Sequence, residues 1–187
     1  MSENNNPLPD NQNATQAEWD ELKPLAEAMF QAARKSHYAH NTEAETLNSK
    51  NQVLGTSAAI LAAISGASAL SHLSALPGWE TYKPAIETGQ GVVALAAALL
   101  STLQTRLNYS KLAEMHRHSA VEYGAIRRNL KTMFHMPLRM RDDPRSYFDE
   151  IQKELHDLAS KSLQISGRVW NVTEKRLKDD SSSLTGN

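Results

Sequence analysis

The sequence predicts an all-α fold: a two-helix transmembrane hairpin extended by long cytoplasmic helices and a C-terminal coiled-coil-like helix. Three observations predict it. Two uncharged stretches of membrane-spanning length lie in the middle of the chain, charged segments with helical periodicity flank them, and a strict three-four apolar repeat runs near the C-terminus. The averages conceal this pattern. The 187 residues carry 20 basic and 21 acidic side chains, 40% hydrophobic content and no cysteine, with a mean hydropathy of -0.52. Residues 51–105 nevertheless hold only three charges, Glu80, Lys83 and Glu87, and the other 38 fall in the remaining 132 residues. The near-neutral total argues against a protein that binds nucleic acid mainly through a basic surface. The missing cysteines exclude disulfides, thiolate zinc sites and cysteine nucleophiles.

The first element is expected at about residues 15–50. Residues 1–14 are asparagine-rich and broken by proline, which predicts disorder. Thr15 and Glu18 stand at capping-box spacing. Trp19, Leu22, Ala26, Met29, Ala33 and Ser36 then recur at three and four residues, one face of an amphipathic helix. Pro24 either kinks this helix or marks its true first turn.

The two spans are expected at about 53–76 and 88–105. Asn51 to Trp79 is an uncharged run of 29 residues, and Thr88 to Thr105 one of 18. About 20 helical residues cross a hydrocarbon core of about 30 Å. Pro77, Gly78 and Pro84 supply a turn between them. Small residues recur every four positions: Gly55, Ala59, Ala63, Ala67 and Ser71, with Ala58, Ala62 and Gly66 beside them, then Ala94 and Ala98, and Ala97, Ser101 and Thr105. Such stripes let helix backbones approach closely in lipid. A soluble alanine-rich hairpin buried in a bundle is the competing reading, but it would normally carry an outer face of Lys and Glu, and neither stretch has one.

Orientation follows from the Lys and Arg near the span ends. Arg34, Lys35 and Lys50 precede the first span, and Arg106, Lys111, Arg117, Arg127, Arg128 and Lys131 follow the second. The connecting loop carries only Lys83. Both termini are therefore expected in the cytoplasm, in a multi-pass plasma-membrane protein. The first fifty residues lack the basic-then-apolar start of a cleavable signal, so the first span is expected to direct its own insertion.

After the second span a continuous helix is expected as far as Phe134, with its cytoplasmic part at about 106–134. A stripe runs through His116, Ala120, Tyr123, Ile126 or Arg127, Leu130 and Phe134. Pro137 to Pro144 forms a loop, with Asp143 as N-cap and Pro144 at the first helical position. The last helix is expected at about 144–178. Phe148, Ile151, Leu155, Leu158, Ser162, Ile165, Val169 and Val172 keep strict three-four spacing, a coiled-coil seam that packs on the other cytoplasmic helices or on a neighbouring subunit. Residues 179–187 are expected to be a disordered tail, and 15–178 to form a single domain.

No constellation reads as catalytic. Gly89-Gln90-Gly91-Val92-Val93-Ala94 fits a dinucleotide pattern, but no strand precedes it and the acidic partner position offers Asn108. His37, His40 and Glu43 could share a helix face, yet they sit on a polar stretch that reads as solvated. His116 and His118 point in different directions on a helix. His72 is the one titratable residue within a predicted span, close to its far interface. No nucleophile has a base and an orienting partner. The reading is a non-enzyme with no cofactor and no metal.

The segment LQTRLNYSKLAEMHRHSAVEYGAIRRNL (103–130), after a short-looped pair of spans, resembles the SLATT family of bacterial two-transmembrane effector domains associated with nucleotide-second-messenger defence systems. Tyr109, Ala113, His116, Ala120, Tyr123 and Arg127 carry the likeness, with Tyr38 and His40 before the first span matching less specifically. It covers about residues 18–178. The resemblance implies an anti-phage, abortive-infection effector that opens a pore or disrupts the membrane after a partner detects infection. It implies no catalytic residues. The trigger is expected from a separate sensor or nucleotide-signalling protein, or from a ligand.

One hairpin cannot enclose water, so a pore requires a homo-oligomer in the lipid bilayer. Ser57, Ser65, Ser68, Ser101, Thr102 and Gln104 could face a lumen or hydrogen-bond between helices. Helix packing is expected through Gly55, Ala59, Ala63, Gly66, Ala67, Ala94, Ala98 and Ser101. The alternatives are a non-conducting membrane scaffold whose cytoplasmic helices recruit a partner, and the soluble bundle.

Overall fold

Capping, helical stripes and a few breakers divide the described residues into five helices. A computed structural model describes residues 10–66, 78–137 and 143–185. They form α1 (Asp10–Gly66), α2 (Trp79–Leu107), α3 (Tyr109–His135), α4 (Pro144–Lys161) and α5 (Gly167–Thr185), with no strand among the described residues. The chain is all-α, as its periodicities predict. Two compact units result: Met1–Glu43 with Met115–Asn187, and Ala44–Glu114, so that α1 and α3 each contribute to both.

In the first unit the expected stripe of α1 is the buried face. Trp19, Ala26, Met29 and Ala33 pack with Tyr123, Ile126, Leu130 and Met133 of α3 and with Phe148, Ile151 and Leu158 of α4. Leu130 is fully buried. A buried leucine or phenylalanine contributes about 1.5–3 kcal/mol by leaving water. Trp19 stands edge-on to Phe148, ring centroids 5.5 Å apart, with Tyr147 6.2 Å away. Asp143 caps α4 as expected, its carboxylate accepting from Ser146 N–H at 2.9 Å, with Pro144 in the first turn. That bond holds the Asp143 carboxyl below the usual carboxylate range.

Four expectations of local structure need correction. α1 begins at Asp10 and runs through Thr15 and Pro24, so neither residue marks its start. Pro24 lies on an exposed position, and the flanking buried residues hold the helix through it. α2 and α3 are not continuous, because Asn108 adopts φ 43°, ψ 40° and its N–H closes on Gln104 C=O at 3.2 Å. Asparagine tolerates this left-handed conformation better than other residues with a Cβ. The helix expected over 144–178 is two helices, since Ser162 is extended (ψ 145°) and residues 162–166 separate them. Finally, α5 continues to Thr185 through the residues read as a tail.

In the second unit α1 and α2 pack antiparallel. Gln104 of α2 lies against Gly55 of α1, where an added Cβ would sit 2.9 Å from its Nε2, and that nitrogen is 3.5 Å from Asn51 Oδ1. Ala58 and Ala97 are the buried residues farther along these two helices. Lys50 Nζ lies 5.8 Å from the centre of the Tyr109 ring.

Candidate functional site: a buried histidine pair and an apolar hairpin

The two units place the candidate residues in two different settings. In the first, residues 76 positions apart meet: His40 Nδ1 of α1 lies 2.9 Å from His116 Nδ1 of α3. Both are almost fully buried. Two neutral imidazoles can share this contact only if one ring donates its N–H and the other accepts. Tyr123 stacks on His40 with centroids 5.5 Å apart and planes 17° from parallel. Its hydroxyl bonds to Ser36 and Ser162, and burial pushes its pKa up. Ser162 Oγ also donates to Ser119 Oγ at 3.1 Å.

Glu43, one helical turn beyond His40, is buried and accepts from the Ser166 N–H at 3.2 Å and the Ser166 hydroxyl at 2.6 Å. Its carboxylate thereby holds the residue that precedes α5. Burial, and to a lesser degree the neighbouring His116, lowers the His40 pKa to about 4 against the opposing effect of Glu43. His116 is lowered by burial as well, again against Glu43. Burial penalises the charged imidazole, so the pair stays neutral at neutral pH.

The stretch read as solvated is therefore the polar core of this unit. Local spacing does not reveal it, because the decisive partner, His116, is 76 residues away in the sequence. Among the described residues no group of three or more histidine, aspartate and glutamate side chains is placed to hold a metal. Around the cluster, His37 Nδ1 donates to Ala120 C=O at 2.7 Å. Arg34 and Arg127 approach the Tyr38 ring at 6.0 and 5.8 Å. Lys35 Nζ sits 4.2 Å from the Trp170 ring centre and pairs with Glu174 at 2.8 Å. These contacts tie α5 to α1 largely through polar groups.

The residues singled out on the 109–127 segment fall in both settings. Ala113 is buried in the second unit, where Tyr109 meets Lys50; His116, Ala120 and Tyr123 are buried in the first, where Arg127 reaches Tyr38. The seam residues Phe148, Ile151 and Leu158 are buried in the first unit's own core, with Leu155 packed against it. Val169 is buried, Ile165 lies in the non-helical connector and Val172 is exposed. Because the repeat crosses a helix break, it does not form one continuous coiled-coil helix.

The hairpin presents the opposite character. Val92, Leu95, Leu99 and Leu103 of α2, and Val53, Ile60 and Ile64 of α1, are exposed. Of the small residues expected to pack helices, Gly55 faces Gln104, whereas Ala59, Ala63, Gly66, Ala94, Ala98 and Ser101 lie on the exposed side. Ala67, Ser68 and His72 lie outside the described residues. Ser65 Oγ donates to Ala62 C=O, and Thr102 Oγ1 to Ala98 C=O. Ser57 is half-buried, and Gln104 turns toward Asn51. Gly89 and Gly91 lie inside α2 with open space around them, which removes the dinucleotide reading.

Among the described residues one helical stretch, Glu80–His135, contains a window long and apolar enough to cross a membrane, and 6% of that window is buried. A family model described as SMODS and SLOG-associating 2TM effector domain family 4 matches residues 22–185. The chain belongs to the SLATT family. No curated protein and no solved structure matches it. Membership places this SLATT chain among two-transmembrane effectors of defence systems, not in a known enzyme family. Together with the one candidate membrane helix, it points to a membrane location.

Proposed function

We propose that this SLATT chain is a plasma-membrane effector of anti-phage defence whose copies assemble and form a pore when a sensor or nucleotide-signalling partner triggers them. The observation that carries the reading is the run of exposed Val92, Leu95, Leu99 and Leu103 on α2 of a two-transmembrane effector domain. A contiguous apolar face of this kind is unfavourable in water and favourable in lipid. It argues against the soluble bundle. Conduction through hairpins requires several copies, because unpaired backbone and water cannot coexist with lipid around a single one. The bias of Lys and Arg toward the outer ends of both spans supports termini in the cytoplasm.

A non-conducting scaffold is the second reading, favoured by one observation. The hydroxyls of Thr88, Ser65, Thr102 and Thr105 all bond to carbonyls of their own helix, so none requires a water-filled lumen. Ion-selective dye release from phosphatidylethanolamine–phosphatidylglycerol liposomes separates the two. The purified chain should release dye on adding lysate fractions from infected cells that carry the neighbouring genes. Full insertion with no release under any fraction would overturn the pore and leave the scaffold.

A further inference from the structure

A groove between α3 and α4 in the first unit has about 400 Å³ of free volume. Its floor is apolar, formed by Ala125, Ile126 and Leu158, and its rim carries the carboxylates of Glu122, Glu154 and Asp157, which outnumber its one cation, Lys161, with Asn129 beside them. Next to it on α3, one turn before Ala125, Val121 is 59% exposed. An apolar trough bordered by carboxylates selects a helix that presents an aliphatic side chain ringed by cations.

The same chain displays such a helix face. Val172 of α5 is 42% exposed. Its neighbours four before, three after and four after are Arg168, Lys175 and Arg176, all exposed. On a helix these positions surround one another. The opposite side of α5 is committed inward through Val169 and Thr173, both buried, and through Trp170 and Glu174, which meet Lys35. The basic face is therefore left on the outside, as is the acidic groove.

We propose that the α5 face centred on Val172 of one copy docks into the α3–α4 groove of the next. The contact is head-to-tail, since each copy offers a groove at one place and a knob at another. Repetition of such a contact closes a ring when the rotation permits. It rests on the assembly reading given above and names the surface that performs it. A contact confined to this groove falls short of the about 1,200–2,000 Å² of total area that a stable soluble interface buries. It is suited to copies already concentrated by a shared membrane.

The chain has no natural cysteine, so disulfide trapping is clean. Ala125→Cys and Val172→Cys are placed in separate, differently tagged full-length chains, co-expressed and oxidised in isolated membranes. A disulfide-linked dimer carrying both tags is expected, and neither variant alone should give one. Glu154→Lys with Asp157→Lys in the first chain should reduce it at least tenfold, and Lys175→Glu with Arg176→Glu in the second should restore it. A second pair, Asp157→Cys with Lys175→Cys, guards against a local distortion at either position. No mixed dimer from either pair, a dimer of Ala125→Cys with itself, or indifference to charge reversal would each overturn the contact. Dye release without the mixed dimer refutes this contact and leaves the pore; the mixed dimer without release refutes the pore and leaves the contact.

Discussion

His40 and His116 face each other through their Nδ1 atoms at 2.9 Å, joining α1 to α3 inside the charged unit. The contact holds while at most one ring is protonated, because two imidazolium N–H groups cannot both donate into it. Both pKa values lie below that of a free histidine, mainly through burial. The unfolded chain therefore binds more protons than the folded one as pH falls below about 6.5, and stability drops with it. Above about pH 7 the pair contributes no slope. For His40 the loss should extend down to about pH 4, at up to about 1.4 kcal/mol per pH unit per proton. Thermal melts of the detergent-solubilised protein between pH 8 and pH 4 test this. His40→Gln with His116→Gln should flatten the acid limb, and an unchanged limb would refute the assignment.

Glu43 is expected to matter twice. Glu43→Gln weakens the two bonds to Ser166, at about 1.5–3 kcal/mol for bonds to a charged acceptor. It also removes the charge that opposes the lowering of both histidines. Melting at pH 7.5 should fall, and the lower end of the acid limb should move to lower pH. Proteolysis near residue 166 should accelerate, since Glu43 holds the connector there.

Two glycines differ in what surrounds them. A Cβ on Gly124 would lie 3.0 Å from His37 Nδ1, which is held by Ala120 C=O. Gly124→Ala should cost about 1–3 kcal/mol, as overpacking usually does. A Cβ on Gly55 would instead meet the far end of Gln104, which can swing aside. Gly55→Ala should change the melting temperature little. Equal losses for the two would contradict the packing described.

Asn108 separates α2 from α3 with a left-handed backbone. Asn108→Gly should leave stability unchanged or slightly raised, because glycine enters this conformation without steric cost. Asn108→Val should lower it by about 1–2 kcal/mol. A valine variant that melts with the parent would mean that the two helices run on continuously.

The interior face of α1, the Asp143 cap and the apolar character of α2 are all legible from spacing. Each depends on residues within a few turns of one another, and a three-four repeat or an N-cap exerts its effect locally. The resemblance on residues 103–130 was legible too, and the family match over residues 22–185 agrees with it. The two helix breaks were not. Asn108 is acceptable in an ordinary helix, and Ser162–Ser166 interrupts a repeat whose three-four spacing continues through the one polar position, Ser162.

Spacing also decided which residues of α1 and α4 turn inward, because burying an apolar stripe requires only that the stripe exist. What it left open was the partner each surface takes. The seam of Phe148, Ile151 and Leu158 suits another subunit as well as the chain's own helices, and only the folded arrangement assigns it to Trp19 and Leu130. His37, His40 and Glu43 read as solvated until α3 delivers His116 from 76 residues away. Burial and hydrogen bonding at that distance depend on how helices pack, and no local pattern encodes the meeting of two polar side chains that far apart in the chain.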